Sequence, residues 1–367
     1  MITRLVAQIV KELLSLLRDP RSRFVIVGPP LAQLFVFSFA ATLDVTNVTI
    51  AVLNEDSGRW SREMIQRVEG ANFVGELIYV DSPEQLTSMV DRREAIAAIR
   101  FPADFSRDVG AGLPALAQVI LDGRRANSSQ ITLGYLNAIA SGIGAELAAT
   151  AGRTPPEIAV RHWFNPNLIY RWFIVPSLSG MLAMLISLIV TALSIARERE
   201  LGTFEQLLVS PARSIEIVIG KTVPALLIGT LLGCVMISAG VFAFDIPFTG
   251  SVLLLFGSLV LFILSMVGIG LMVSSICQTQ QQAILGTFSV AVPIVLISGF
   301  TTPVENMPAW LQLIARASPL KYYLIIVRGT FLKALPAADI FANAWPMALI
   351  ALVTLSSAIV IVRRNLH

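Results

Sequence analysis

The chain has 367 residues, a formal net charge of +3 and a mean hydropathy of +0.74. Hydrophobic residues make up 55% and charged residues 14% of the sequence, whereas soluble domains carry about 25% charged residues. This composition excludes an ordinary soluble domain. The basic residues stand at the ends of apolar segments and not in a patch with aromatic partners, which argues against nucleic-acid binding.

Residues 1–23 are predicted to form an amphipathic helix that lies in the membrane interface on the cytoplasmic side. Apolar residues recur at helical spacing, and polar residues hold the opposite face. The apolar set is Ile2, Leu5, Val6, Ile9, Leu13 and Leu16, and the polar set is Arg4, Gln8, Lys11 and Ser15. A soluble helix that packs on another protein is the alternative.

Six charge-free segments are long enough to cross a bilayer, which takes about 20 apolar residues. The clearest signal is 246–304, which contains no Asp, Glu, Lys or Arg and holds two crossings joined by the polar turn 278–282. The predicted spans are 24–43, 172–196, 222–244, 251–276, 283–300 and 340–362. The basic residues of the loops place both termini in the cytoplasm.

One group of basic residues conflicts with this orientation. Arg316, Lys321, Arg328 and Lys333 lie between the fifth and sixth spans and fall on the outer side. Segment 301–335 is therefore expected to fold back at the outer membrane surface.

Residues 44–171 are predicted to form a separate extracytoplasmic domain. Strands are predicted at 48–53, 73–80, 95–101 and 117–121, and helices at 59–69, 83–92, 103–109 and 127–149. Strands that alternate with helices indicate an α/β domain around a small sheet. The aspartates of this segment are scattered, and no catalytic or zinc motif is present. The expected fold is an α-helical polytopic membrane protein of six transmembrane helices with an inserted extracytoplasmic α/β domain.

The loop after the second span carries a distinct local pattern. Gly202 is expected to end that span, and Thr203 with Gln206 forms a capping box that starts a short helix at 203–209. Glu205 lies in the first turn of this helix, where a negative charge suits the helix dipole. Acidic and apolar residues on a short exposed helix suit docking on a partner, and an ordinary loop helix against the membrane fits equally well.

No ATP site is visible in the chain. Gly220-Lys221-Thr222 resembles the end of a phosphate loop, but the glycine that this motif needs five positions earlier is Ile215. Lys221 is instead predicted to be a positive anchor at the start of the third span. No charged residue is expected well inside a span, which disfavours an ion-coupled carrier.

Three segments carry a family resemblance. Residues 198–211, Glu-Arg-Glu-Leu-Gly-Thr-Phe-Glu-Gln-Leu-Leu-Val-Ser-Pro, resemble the loop of ABC-2 type transporter permeases. Residues 161–168 (Arg-His-Trp-Phe-Asn-Pro-Asn-Leu) and 101–108 (Phe-Pro-Ala-Asp-Phe-Ser-Arg-Asp) resemble the exporter branch with a large outer domain, the YhhJ and YbhR type. The resemblance covers essentially the whole chain.

The resemblance implies a permease subunit of a bacterial inner-membrane exporter, not itself an enzyme. ATP and Mg would be bound by separate ABC ATPase subunits, and a second permease, the same or a related chain, would pair with this one. Members of this branch often engage a periplasmic adaptor, which no residue pattern here specifies; membrane lipid is a further expected partner. The helix 203–209 would be the coupling helix. The residues implied for ATPase coupling are Glu198, Glu200, Gly202, Thr203, Phe204, Glu205 and Gln206.

The second and fifth spans are expected to line the path of a hydrophobic or amphipathic compound near the dimer seam. Candidate path residues are Met181, Met184, Phe288 and Pro293, for which packing against lipid is the alternative role. A non-transporting membrane relay or scaffold, which would couple a cytoplasmic ATPase to envelope partners, is the alternative function.

Overall fold

A computed structural model describes residues 2–18, 20–40, 45–150, 164–165, 169–203 and 214–365. The chain divides into two compact units, of which one comprises Met1–Ala41 with His162–His367 and the other Thr42–Arg161. Residues 204–213 lie outside the described part of the chain, so the predicted coupling helix is described only at Thr203.

The unit Thr42–Arg161 is built on a four-stranded sheet. Its strands are β1 (Val48–Asn54), β2 (Val74–Tyr79), β3 (Ala97–Phe101) and β4 (Gln118–Leu121), in the order β2-β1-β3-β4. Strand β1 pairs in parallel with β2 and β3, and β4 is antiparallel to β3. The helices are α3 (Arg59–Glu69), α4 (Pro83–Asp91), α5 (Phe105–Gly110) and α6 (Ala126–Thr150), with a 3-10 turn at Gly123–Arg125. Each strand and helix lies within two residues of its predicted bounds.

Both faces of this sheet are covered, which explains why β1 is almost continuously apolar. Ile50 and Val52 face one core together with residues of α3 and α6. Ala51 and Leu53 point to the other face, where they pack with residues of α4. The helix α4 starts as the sequence predicts, because the Ser82 side chain accepts a hydrogen bond from the backbone N–H of Gln85 at 3.2 Å.

The other unit is helical. It begins with α1 (Ile2–Arg18) and α2 (Pro20–Ala40). Among the described residues, five long helices and two short ones follow, with one 3-10 turn between them. They are α7 (Tyr170–Glu200), α8 (Ser214–Phe242), α9 (Val252–Ile276), α10 (Gln280–Ile297), a 3-10 turn (Val304–Asn306), α11 (Ala309–Ala315), α12 (Pro319–Leu332) and α13 (Ala337–Asn365).

Among the described residues, five helices are long and apolar enough to cross a membrane: α7, α8, α9, α10 and α13. Helix α2 contains only a shorter apolar stretch, Val27–Phe37. The structure therefore supports a helical membrane protein with five candidate spans.

The start of the third span differs from its prediction. The third span was placed at 222–244, but α8 begins at Ser214, so Lys221 lies inside the helix. The prediction counts Lys221 among the loop charges and therefore begins the span after this residue. Segment 301–335 contains helices, of which α12 packs on α7 and α9.

Helix α7 is the central helix of the bundle and contacts α2, α8, α9, α10 and α12. Hydrogen bonds between helices fix it in place: the Ser274 hydroxyl of α9 donates to the Ala192 carbonyl at 2.5 Å and accepts from the Ile195 N–H at 3.1 Å. Small residues let its neighbours approach closely, as is usual in membrane bundles. A Cβ added at Gly180 would lie 2.7 Å from the ring of Tyr323, which itself stacks on Phe262 at a centroid distance of 4.4 Å.

This packing predicts that Gly180→Ala destabilises the bundle by about 1–3 kcal/mol, because the new methyl group must displace a fully buried ring. Thermal unfolding in detergent measures the effect. Gly257→Ala is the matched control, since a Cβ at Gly257 meets nothing within 4 Å. The control should leave stability unchanged or slightly raised. Equal loss of stability in both variants would contradict the close contact with Tyr323.

Candidate functional site: a buried ion cluster beside the loop 204–213

The end of α7 sets the geometry of this site. Gly202 has a φ of +70°, the left-handed conformation that commonly ends a helix. The N–H of Gly202 donates to the Arg199 carbonyl at 3.0 Å, and the N–H of Thr203 donates to the Glu198 carbonyl at 2.9 Å. This pair of bonds is a Schellman motif. Gly202 therefore ends the helix as the sequence predicts, and Thr203 also donates its hydroxyl to the Glu198 carbonyl at 3.3 Å.

The four charged residues that precede this end contact different parts of the bundle. Arg197 Nη1 donates to Ser15 Oγ of α1 at 3.4 Å. Arg199 Nη1 donates to the Cys277 carbonyl, at the end of α9, at 3.0 Å. The Glu200 carboxylate accepts from the N–H of Gln280, the first residue of α10, at 2.7 Å. Successive helical residues point about 100° apart, so a run of charges at a helix end reaches several neighbours.

Glu198 joins this helix end to a buried lysine. Lys221 Nζ lies 2.7 Å from Glu198 Oε2 in an ion pair, and 3.0 Å from Glu12 Oε1 of α1. Lys221 Nζ also donates to Ser194 Oγ at 3.1 Å. Lys11 of α1 binds the other Glu198 oxygen at 2.9 Å. The cluster Lys11–Glu12–Glu198–Lys221, hereafter the ion cluster, thus connects α1, α7 and α8.

The two lysines of the ion cluster differ in burial, and so in how much they depend on their carboxylate partners. The Lys221 side chain is 0% exposed, whereas Lys11 is 58% exposed. A charged amine without water needs close opposite charges, because its desolvation is costly. Lys221 has two carboxylates and a hydroxyl, so its charge is compensated. Such clusters add little net stability, but removal of one partner is strongly destabilising because it leaves a buried charge uncompensated.

Lys221 therefore corrects the sequence interpretation in one respect. It was predicted to be an anchor at the start of a span, yet it lies inside α8, fully enclosed by carboxylates and Ser194. The same placement rules out a phosphate loop at Gly220-Lys221-Thr222, because these residues form continuous helix. Sequence alone could not reveal the cluster, since Glu12 and Lys221 are distant in the chain.

The face of α1 that lies against the protein is mixed, because Gln8 and Glu12 lie on it beside partly buried apolar residues: Leu5, Ile9, Leu13 and Leu16. Gln8 packs so closely on Gly220 of α8 that a Cβ there would come within 2.7 Å of it. Glu12 is 8% exposed. The exposed apolar stripe of α1 consists of Val6, Val10, Leu14 and Leu17, which are 40–56% exposed. The predicted helix is present, but Arg4, Lys11 and Ser15 of its predicted polar face are exposed, and the sequence did not reveal that Gln8 and Glu12 would lie against the bundle.

The residues predicted for ATPase coupling fall into three groups. Glu198 and Glu200 are engaged inside the chain, as described above. Gly202 and Thr203 shape the end of α7 immediately before the loop. Phe204, Glu205 and Gln206 lie outside the described residues.

The predicted path residues also differ from one another. Met184 of α7 is 0% exposed within the core, and Met181 is partly buried against it. Phe288 of α10 is 48% exposed, and Pro293 is exposed on the same helix. The structure therefore does not bring these four side chains to one surface of the single chain.

A second polar cluster lies at the other end of α7 and was missed by the sequence analysis. Arg328 of α12, expected at the outer surface, donates from Nε to Ser177 Oγ at 2.7 Å and from Nη1 to the Gly299 carbonyl at 3.3 Å. Its guanidinium group stacks over the Phe173 ring at 4.0 Å. These contacts tie α12 to α7 and to the end of α10. Among the described residues, no group of three or more His, Cys, Asp or Glu could hold a metal ion.

The five apolar helices of the described residues indicate a multi-pass helical membrane protein. Residues 23–360 match the family described as ABC-2 family transporter protein. The chain is 43% identical over 368 residues to the probable multidrug ABC transporter permease YbhR of Escherichia coli (strain K12), with 100% of both chains covered. The chain therefore belongs to the ABC-2 transporter family, which confirms the resemblance of residues 198–211.

Two further relatives come from the same strain. The probable multidrug ABC transporter permease YbhS is 30% identical over 90% of this chain and 88% of its own. The inner membrane transport permease YhhJ is 26% identical over 93% and 90%. Membership of this family, together with the apolar helices, indicates a multi-pass protein of the inner membrane in the role of a transporter permease.

Burial in the ion cluster predicts different costs for two lysines that bind the same carboxylate. Lys221→Met should lower the free energy of unfolding by about 3–5 kcal/mol, because Glu12 and Glu198 stay buried beside an apolar side chain. Lys11→Met should cost less than about 1 kcal/mol, since its amine is largely in water. Unfolding of both variants in detergent tests this, and equal losses would contradict the difference in burial.

Proposed function

We propose that this chain is the membrane-spanning permease subunit of an ATP-driven exporter that moves a hydrophobic or amphipathic compound outward. Separate ABC ATPase subunits, which bind ATP and Mg, would dock at the loop 197–211. The observation that carries the proposal is the ion cluster, which links both helices flanking that loop to α1. The names of the relatives YbhR and YbhS as multidrug permeases support export of such compounds.

In this proposal the predicted coupling residues have different roles. Phe204, Glu205 and Gln206 of the helix 203–209 would contact the ATPase. Gly202 and Thr203 would set the direction of that helix relative to α7. Glu200 would connect the end of α7 to α10. Glu198 would act through Lys221 and α1 and not at the ATPase surface, because its carboxylate is 9% exposed and engaged by two lysines. Movement of the docked ATPase would then reach α1, α7 and α8 together.

Two copies of such a permease, or this chain and a related one, would pair to form the transport path. The apolar residues Leu285, Phe288, Val292 and Leu296 of α10 recur at helical spacing and are 48–69% exposed. This face, which includes Phe288, suits a seam or path, and Pro293 is exposed elsewhere on the same helix. Met184 would reach the path only if α7 moved against its neighbours.

The proposed organisation in the membrane follows the sequence prediction. Residues 1–23 form a cytoplasmic interface helix, 24–43 a first transmembrane helix, 44–171 a periplasmic α/β domain, and 172–367 a five-helix domain with an outer re-entrant segment at 301–335. With α2 as the sixth span, both termini lie in the cytoplasm. A periplasmic adaptor would meet the domain 44–171.

Purification of the full chain in mild detergent, with identification of bound proteins and assay of ATP hydrolysis, tests the docking. We expect an ABC ATPase to co-purify. Glu205→Arg should remove it, because the charge reversal lies on the docking helix. Glu198→Gln, by contrast, should keep the ATPase bound but reduce the stimulation of its turnover by exported compound, because it disrupts the internal link.

Each outcome separates the alternatives. Absence of an ATPase from the wild-type preparation would contradict the proposed energy source. An ATPase that binds but is never stimulated by any hydrophobic or amphipathic compound would favour a non-transporting relay. Unchanged co-purification of the ATPase with Glu205→Arg would overturn the assignment of the coupling helix.

Gly202 offers a second test of the loop geometry. Gly202→Val should reduce ATPase binding and export, because a β-branched residue is strained at a φ of +70° and favours continuation of α7. Gly202→Asn is the matched control, since asparagine adopts this conformation more readily. A Cβ at this position meets nothing within 4 Å, so crowding cannot account for a difference. Normal export by the valine variant would count against the proposed role of Gly202.

A further inference from the structure

Segment 301–335, which the proposed function places on the outer side, is rich in positive charge. It contains four basic residues, Arg316, Lys321, Arg328 and Lys333, and a single acidic one, Glu305. The positive-inside rule does not account for basic residues on this side of a membrane, whereas a positive charge balance attracts anions. Arg316 and Lys333 are exposed, but Arg328 is partly buried and contacts other helices.

Among the described residues, Arg328 has no carboxylate partner. Its Nε donates to Ser177 Oγ and its Nη1 to the Gly299 carbonyl, and both of these acceptors are uncharged. Its Nη2 is buried and has no hydrogen-bond acceptor in the described part of the chain. A guanidinium group that is largely out of water needs an opposite charge, because its desolvation is costly. Lys221, at the other end of α7, has two carboxylate partners of this kind.

Aromatic rings lie beside this cation. Tyr170, Phe173 and Ser177 recur at helical spacing and therefore share one face of α7. The guanidinium carbon of Arg328 lies 4.0 Å from the centre of the Phe173 ring, and the centres of the Tyr170 and Phe173 rings are 5.9 Å apart. Both rings and Arg328 keep some exposed surface. Sites for small molecules commonly combine aromatic walls with a few polar groups.

We infer that Arg328 binds the acidic group of the exported compound, and that the rings of Tyr170 and Phe173 contact its apolar part. The inference rests on the proposed function and narrows its substrate class to amphipathic organic acids. Arginine suits this role, because its planar fork of N–H groups can hold a carboxylate by two hydrogen bonds. The enclosed Nη2 reaches such a group after a small shift of the side chain, which is common on binding. The site lies about 30 Å along α7 from Glu198, which matches the thickness of the hydrocarbon core.

Binding of a matched pair of ligands to the purified full chain tests the inference. Pyrenebutyrate carries a carboxylate, and pyrenebutanol has the same apolar part without a charge. Energy transfer from the tryptophans of the chain to the pyrene ring measures saturable binding in dodecyl maltoside at neutral pH, without ATP. We expect the wild type to bind pyrenebutyrate about tenfold more tightly than pyrenebutanol, since a hydrogen bond to a charged group is worth about that factor.

Two variants disable the site in different ways. Arg328→Gln removes the cation, and Ser177→Asp supplies a carboxylate of the chain itself at the residue that Arg328 Nε contacts. Both should abolish the roughly tenfold preference for pyrenebutyrate and leave the binding of pyrenebutanol unchanged. Lys333→Gln is the matched control, because it removes a positive charge of the same segment at an exposed residue, and it should bind both ligands as the wild type does. Thermal unfolding in detergent checks that each variant is folded, and Ser177→Asp decides the result if Arg328→Gln is not.

Three results with these ligands would overturn the inference. They are equal affinities of the wild type for both ligands, an unchanged preference in the folded variants of Arg328 and Ser177, and an equal loss of preference in Lys333→Gln. A competition experiment separates the two sources of an acidic group. Displacement of pyrenebutyrate by lauroyl lysophosphatidylglycerol, but not by dodecanoate at the same concentration, would assign the site to a lipid headgroup and not to an exported acid.

The measurement also separates this inference from the proposed function. It involves neither ATP nor an ATPase, so the absence of an ATPase partner would leave its result unaffected. Conversely, loss of the preference for the acid would leave export of uncharged compounds open to the tests given above.

Discussion

The buried amine of Lys221 is the constraint on which this end of the bundle depends. A charge with no exposed surface is tolerable only where opposite charges are held beside it. Here they come from α1 and from the last turn of α7, two elements far apart in the chain. The position of α1 is therefore set by the charge balance of α8. Leu16 of α1 also packs on the apolar core and Gln8 packs on Gly220, so apolar and polar contacts together hold this helix.

The same contacts fix the end of α7, from which the chain continues into the loop 204–213. The residues Arg197–Glu200 connect α7 to α1, α8, α9 and α10. The Schellman motif at Gly202 then ends the helix. A partner that moved this loop would act on several helices at once. Energetic coupling of this kind requires contiguous packed and ion-paired elements with discrete arrangements. The Arg328 contacts at the other end of α7 tie α12 and the end of α10 to the same helix.

The two units of the chain differ in how their elements form hydrogen bonds and pack together. In the unit Thr42–Arg161, the sheet satisfies its own backbone groups and helices cover both faces. In the helical unit, serine and threonine hydroxyls donate to carbonyls within or between helices, as Ser274 does to Ala192. Interhelical approach there relies on small residues such as Gly180, because lipid supplies no hydrophobic drive for helix association. The sequence reflects this difference in its alternation of strands and helices and in its charge-free runs.

Local signals in the sequence determined the elements of the sheet unit, the amphipathic α1, the apolar helices and the end of α7 at Gly202. Each depends on residues close together in the chain, whose spacing, caps and backbone preferences can be read directly. The family resemblance also followed from short contiguous segments, 101–108, 161–168 and 198–211. Only the tertiary structure decided that Glu12, Glu198 and Lys221 meet and that Arg328 binds Ser177 of α7. Those outcomes depend on contacts between side chains that are distant in the chain. A charged or polar side chain that is buried needs a partner, and the sequence does not show which distant residue supplies it.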